Sequence, residues 1–386
     1  MCPLGVNSRQ HSFHQQLYTI NEKRTKDKKS ISLVSGSFAG DFFPFTQTRS
    51  VAEIRCGILS IREKWEYHFS VTEPGAGATA IPANTIPGQE LIEAIGSGND
   101  LSVEKALAAS TRLMHAQDIV HQNDREIRRD FGLITHGRIS KPIPESNRVI
   151  LPVPEKVSVK EIFPAPVFLE EGAVLEHSVL NATAGPIYIG KNALVMEGCM
   201  IRGPFALGEG SVLKMGSRIY GATTVGPFST AGGEIKNSVI FGHSNKGHDG
   251  YLGDSVIGEW CNLGAGTSVS NVKNSGGKIK YWNPLKKEWL DGGMKCGLFM
   301  GDYSRSAINT SFNTGTVVGV CVHVFGKGLT PSYLSSFTWG YDPGETYGFE
   351  KAIQHIQQWM HLKNSRLTST EIKQLKNIFD QQNNLS

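Results

Sequence analysis

Nowhere do two of the six cysteines stand as a C-x-x-C pair: Cys2, Cys56, Cys199, Cys261, Cys296 and Cys321 are scattered along 386 residues. That spacing argues against a zinc ribbon or a disulfide framework and fits reduced thiols in the cytosol. No apolar run reaches membrane-spanning length, and the polar start lacks the apolar core of a signal peptide. An excess of either sign of charge is lacking too. The 39 Lys and Arg against 35 Asp and Glu leave a formal net charge of +4, too mild to call for nucleic acid or a membrane surface as partner. The one dense basic run, Lys23–Lys29 (KRTKDKK), has no interleaved aromatics and reads as part of a disordered leader over residues 1–30. The expectation is a soluble cytoplasmic protein with no nucleic-acid partner, no membrane partner and no metal site.

Glycine is in excess, at 43 residues, against an average usage of roughly 7%. It concentrates after residue 165, where a six-residue period also appears. From Ile189 every sixth residue is Val195, Ile201, Leu207, Leu213, Ile219, Val225 and Ala231, all small or aliphatic. The phase returns at Ile257, Leu263 and Val269, and less cleanly at Met300, Ser306, Phe312, Val318 and Val324. Period six matches neither a helix nor an alternating strand. It matches a coil of three short strands, each sending one aliphatic side chain into a narrow interior, with glycine at the corners. A β-sandwich would show longer alternating strands and irregular turn spacing. The expected fold class is mainly β, a left-handed parallel β-helix of hexapeptide repeats. Residues 270–296 interrupt the repeat and read as a loop projecting from one coil, on the side where solenoids often bind, with Lys278, Lys280 and Trp282 on it.

The flanks read differently. ISLVSG at 31–36 looks like a buried strand, and residues 51–69 carry Val51, Ile54, Ile58, Ile61 and Trp65 at helical spacing. Short helices are expected around 89–95 and 101–115, and residues 140–166 are proline-rich enough for a linker. Two helical patterns close the chain at 348–363 and 370–380, the second opened by a Thr368–Glu371 capping box, and they are expected to cover the end of the solenoid. The division that follows is a leader (1–30), a short α/β domain (31–140), a linker (141–166), the β-helix (167–330) and a helical cap (331–386).

On that frame the stretch NKGHDGYLGDSVIGEWCNLGAGT at 245–267 resembles the acetyltransferase core of the bifunctional N-acetylglucosamine-1-phosphate uridyltransferase/glucosamine-1-phosphate N-acetyltransferase. FTQTRSVAEIRCGILSIREKWE at 45–66 is similar to an N-terminal run of that enzyme's alternative bacterial form, a sugar nucleotidyltransferase. GPIYIGKNA, IRGPFAL, NSVIFGHSNKGHDG and NTGTVVGV extend the likeness over most of residues 31–380. The resemblance implies acetyl transfer from acetyl-CoA to glucosamine-1-phosphate on the way to UDP-N-acetylglucosamine, by a homotrimer with CoA between subunits. It implies His248 as the base, Asn262 on the amino sugar, Arg218, Lys236 and Tyr251 on its phosphate, and Ala265 at the acetyl-CoA groove. It also makes residues 31–140 a shortened nucleotidyltransferase-like α/β domain, with UTP as substrate and Mg2+ as its metal if that half is active. Arg49 and Arg55 are its candidate nucleotide or phosphate contacts, with Arg62 and Lys64 as further basic residues on a helix face.

These residue types suit that chemistry. An amine attacks a thioester only when unprotonated, so a neutral imidazole nearby is useful. A sugar phosphate needs cationic multi-donor partners such as arginine and lysine. Departures also stand out. The family's N-Y-D-G turn is here Asn271-Val272-Lys273-Asn274, with Lys278 the nearest loop lysine, and Ile308 stands at a serine position near the CoA thioester. The stretch Gly36–Asp41 has no G-x-G-T-R phosphate loop. Two other readings stay open. One is a zinc hydro-lyase on the same fold, with His177, His243 and His248 as ligands. The other is a non-catalytic relative that binds a sugar nucleotide or CoA.

Overall fold

The computed structural model describes residues 28–75, 77–151 and 166–383. Almost all of the leader, and most of the proline-rich stretch, lie outside the described residues. The chain divides into two compact units, one holding residues up to Gly36 and Ile61–Arg112, the other Ser37–Ser60 and Leu113–Ser386.

In the first unit Ser30–Val34 is the central strand of a three-stranded parallel sheet, flanked by Ser70–Thr72 and Thr79–Pro82. Helices Ile61–Glu66, Gln89–Ser97 and Asp100–Ala109 accompany it. Its core gathers Ile31, Trp65, Phe69, Ile81, Leu91 and Ile95. Trp65 is both packed and tied, its Nε1 donating to the Thr85 carbonyl at 2.9 Å. Lys64 is buried and not on a solvated helix face.

The second unit is a three-sided parallel β-solenoid. Among the described residues its first face has nine strands, from Val167–Leu169 to Tyr333–Leu334. The second has ten, from Val174–Leu175 to Glu345–Thr346, the last antiparallel. The third has six, from Arg148–Ile150 to Tyr251–Gly253, followed by the pair Ser268–Val269 and Ser311–Phe312. Residues at the six-residue period point inward: Ile189, Val195, Leu207, Leu213, Val225 and Ala231 are each 0% exposed. Even Ser306, at 6%, keeps its slot, because its hydroxyl meets Thr267 Oγ1 at 2.9 Å and accepts from the Gly264 amide. The first described strand of the third face, Arg148–Ile150, pairs with Val179–Asn181, so the coil begins inside the proline-rich stretch.

One corner of each coil carries a left-handed residue, and glycine is mostly not the residue used. Phe228, His243, Trp260, Tyr303, Cys321 and Phe337 hold φ between 55° and 61°. Their amides donate to carbonyls of the preceding coil, which compensates the strain of a non-glycine at positive φ. Their rings stack outward: Phe228 on His243 at 5.3 Å, His243 on Trp260 at 4.3 Å. Helices Phe349–His361 and Ser369–Asn383 pack Ile353, Ile356, Met360 and Leu375 onto this ladder at Trp260, Tyr303, Cys321 and Phe337. They therefore run along the flank over four successive coils, and do more than close the end. The Thr368–Glu371 capping box is present, with Glu371 N donating to Thr368 Oγ1 at 3.2 Å and Thr368 N to Glu371 Oε2 at 2.7 Å.

Two helical expectations change. Residues 51–69 do not form one helix: a 3-10 turn at Val51–Glu53 and a bridge of Arg55 to Ser60 precede Ile61–Glu66. Gly57, at φ 90°, breaks the run, and the freed amides of Gly57, Ile58 and Leu59 donate to Asn123 and Asp130. Those acceptors sit on the helix Ala116–Thr135, which apolar spacing alone did not announce. Its buried face mixes Ile119, Ile127 and Phe131 with Gln117, Asn123, Glu126 and Asp130, so the polar residues that hold the turn also mask the period.

Candidate active site

The third face positions the phosphate-binding candidates. In each three-residue strand the middle side chain points inward and its neighbours outward. Ile219, Ile235 and Leu252 are the inward residues, at 2%, 0% and 0% exposure. The register stacks Arg218, Glu234 and Tyr251 in one outer column and Tyr220, Lys236 and Gly253 in the other. Tyr251 lies across Gly253, where an added Cβ would stand 2.3 Å from its hydroxyl. Asn271 Nδ2 donates to that hydroxyl at 3.1 Å and to Asp254 Oδ2 at 2.5 Å, and Asn237 Nδ2 donates to Asp254 Oδ1 at 2.6 Å. The YLGD motif thus has a physical content: a ring, an inward leucine, a bed for the ring and a carboxylate that orients two asparagines. Burial, reinforced by Asp254, holds the Tyr251 phenol above its ordinary range, so it stays protonated as a donor.

His248 stands exposed in the loop from the second face to the third. Glycines shape that loop. In the coil below, Ala231 and Glu234 are joined through Gly232 and Gly233 alone. A Cβ at Gly233, which holds φ 73°, would stand 2.6 Å from the His248 carbonyl, and one at Gly232 would stand 2.8 Å from the Gly247 carbonyl. Above, a Cβ at Gly250 would lie 2.0 Å from the Thr267 carbonyl. Only glycine lets the histidine loop nest between its neighbours. Arg218 Nη2 lies 3.7 Å from Asp249 Oδ1, which brings the Arg218 column to the residue beside His248.

Lys246 was not singled out from the sequence. It occupies an inward slot, in register with Ala231, and is 2% exposed. Its Nζ donates to the Gly232 carbonyl at 3.0 Å and to the His248 carbonyl, fastening the histidine loop to the coil below. Burial lowers its ammonium to about 8. The signal available was a lysine where the repeat calls for an aliphatic residue.

Asn262 lies on the second face, outward, between Asn245 of the coil below and Arg305 of the coil above. Ala265 is one coil above the His248 loop, in the corner whose Gly266 amide donates to the Asp249 carbonyl at 3.1 Å. Arg218, Lys236, His248 and Tyr251 therefore share one face and its corner, with Asn262 and Ala265 on the coil above. Arg49 and Arg55 lie elsewhere. Arg49 is buried against Glu259, at 3.0 Å, and Asp302, and Arg55 donates to the Ile58 carbonyl. Both guanidiniums hold the 37–60 segment in place. His243, one of the proposed zinc ligands, is sandwiched between Phe228 and Trp260. Lys278 pairs with Asp291 at 3.2 Å. Ile308 is 70% exposed, and among the described residues no helix is long and apolar enough to cross a membrane.

Residues 31–109 match the family of sugar nucleotidyl transferases. Ninety-two residues are 36% identical to a bifunctional sugar-1-phosphate nucleotidylyltransferase/acetyltransferase of Sulfurisphaera tokodaii, covering 24% of this chain and 23% of that one. Eighty-six residues are 35% identical to the bifunctional protein GlmU of Methanocaldococcus jannaschii, over 22% of this chain and 21% of the relative. The GlmU of Thermus thermophilus is 30% identical over 155 residues, 34% and 33% of the two chains. The resemblance seen in the sequence holds in these segments, which span about a fifth to a third of each relative. Among solved structures, the polysialic acid-specific acetyltransferase NeuO covers 53% of this chain and 86% of its own at 11% identity, with a TM-score of 0.28.

Proposed function

We propose that the chain is an acetyl-CoA-dependent N-acetyltransferase acting on an amino sugar phosphate, with glucosamine-1-phosphate as the acceptor to assay first, in UDP-N-acetylglucosamine synthesis. The observation that carries this reading is the corner where Arg218 approaches Asp249 at 3.7 Å. It sets Arg218, which also pairs with Glu234 at 3.8 Å, on one face with Lys236 and Tyr251, beside an exposed imidazole. The anionic end of the acceptor lies on that face, held by guanidinium and ammonium. Asn262 orients the amino sugar and Ala265 lies at the acetyl-CoA groove. His248 takes the proton of the attacking amine; the new N–C bond forms as the thioester C–S bond breaks, and CoA leaves as the thiol. General-base catalysis of this kind contributes about 10²–10⁴-fold.

The family match over residues 31–109 supports a second activity, uridyl transfer from UTP, in the first unit. Mg2+ belongs to that activity alone. Such a metal would be held by one or two carboxylates together with the nucleotide phosphates. The assembly proposed is a homotrimer in the cytoplasm, with CoA in the groove between two subunits. The test is thiol release from acetyl-CoA over a panel of amino sugar phosphates, with UTP-dependent pyrophosphate release in magnesium alongside. Release that depends on the amino sugar phosphate and collapses in His248→Ala supports the reading. A wild-type chain that releases no thiol with any of them is a binding relative, not an acetyltransferase.

A further inference from the structure

The insertion in the repeat is a β-hairpin, Ile279–Asn283 antiparallel to Glu288–Gly293. One side is anchored: Tyr281 meets Phe299 edge-on at 4.9 Å, and Asn283 Nδ2 donates to the Gly40 carbonyl at 2.9 Å. The other side is thereby fixed outward. There Trp282 and Trp289 stand in register, ring centroids 5.4 Å apart, and Trp289 remains 51% exposed. The hairpin bounds a groove of about 770 Å³ that Thr314 and Leu329 also line. Among its twelve lining residues are Lys273, Lys278 and Lys280, and none is a carboxylate. Lys278 shares its charge with Asp291, which leaves Lys273 and Lys280 to set the sign of the groove. The groove begins where the active site ends. Ser270 and Val272 line it, and Asn271 between them is the residue that donates to Tyr251.

We propose that this groove holds the nucleoside diphosphate of the acetyl acceptor, so that the amino sugar phosphate is extended by a nucleotide. The proposal rests on the acetyltransferase reading and names its substrate class. A diphosphate matches the lysines. A base has a flat face for the exposed indole of Trp289. The groove lies within the roughly 300–1,000 Å³ typical of small-molecule sites. The adenosine diphosphate end of CoA carries the same chemistry, so the test must separate the two.

Tryptophan fluorescence of the full-length protein is titrated with UDP, CoA and orthophosphate, and Trp289→Phe assigns the signal. UDP gives a saturable change that Trp289→Phe abolishes; Lys280→Gln weakens UDP binding about fivefold or more in that signal, and isothermal titration calorimetry shows a loss of the same size in Trp289→Ala. In the thiol-release assay UDP-glucosamine shows a lower KM than glucosamine-1-phosphate. Trp289→Ala raises only the first KM and leaves kcat and the second unchanged. The absence of saturable UDP binding, or competitive displacement of UDP by CoA, overturns the proposal. Turnover of glucosamine-1-phosphate without UDP binding sinks the groove assignment alone. Absence of thiol release with every acceptor sinks the acetyltransferase reading, and the acceptor assignment with it.

Discussion

Lys246→Met tests how the histidine loop is held. The lysine fills a slot that Ala231 fills in the coil below, and burial brings its ammonium from 10.5 down to about 8. An unfolded lysine keeps its proton to about pH 10.4, whereas this one releases it near 8, so between those values the unfolded chain binds more protons. Stability therefore rises with pH across that window. The cost of the buried charge is fully present below about pH 8 and gone above about pH 10.5. At about 1.36 kcal/mol per pH unit the gap amounts to about 3 kcal/mol. Lys363, also lowered to about 8 by burial, titrates in the same window, so the two chains must be compared at each pH. Urea unfolding of wild type and variant between about pH 8 and pH 10.5 should show the wild type gaining about 3 kcal/mol on the variant. Methionine cannot donate to the His248 carbonyl, so thiol release should fall even where stability does not. A stability difference that stays flat with pH would refute the buried, carbonyl-bound ammonium.

Three further outcomes follow from the same geometry. Gly233→Ala places a Cβ 2.6 Å from the His248 carbonyl, while Gly216→Ala, at a similar φ of 69°, meets nothing within 4 Å. Both should lose stability to backbone strain, but only the first should also displace the histidine loop and depress thiol release, by an overpacking cost of about 1–3 kcal/mol. Arg49→Ala leaves the Asp302 carboxylate, 3% exposed, without its guanidinium. A loss of about 3–5 kcal/mol in urea unfolding is expected, partly recovered in the Arg49→Ala/Asp302→Ala double variant; a loss below about 1 kcal/mol would deny the buried ion pair. Lys236→Gln should raise the KM for a sugar phosphate and leave kcat nearly unchanged, since a phosphate contact is made equally in ground and transition states.

The solenoid was legible because its interior is one residue wide. Each inward position is read separately, and Ile189 through Ala231 keep a strict phase. The phase is lost after Ala231 because the next inward residues are Ile235 and Ile240, four and five residues on. That shortening at Gly232–Gly233 is where the His248 loop is seated, so the pattern fails where the site is built. Lys246 is hidden in the sequence for the same reason: with the phase shifted, its slot does not read as inward. The aromatic corners at Phe228, His243 and Trp260 were hidden by the expectation of glycine, since outward stacking and backbone hydrogen bonds compensate their positive φ. The Ala116–Thr135 helix was missed because its buried face carries Asn123 and Asp130, whose partners are the amides of Gly57–Leu59, far away in sequence.

We propose that His248 serves as the base for acetylation of an amino sugar phosphate held by Arg218, Lys236 and Tyr251. Thiol release from acetyl-CoA, measured with an amino sugar phosphate for wild type and His248→Ala, tests it most directly. Acceptor-dependent release is expected in wild type, with a fall in kcat of about 10²–10⁴-fold in the variant and the acceptor KM little changed. Equal turnover in the two proteins would contradict it.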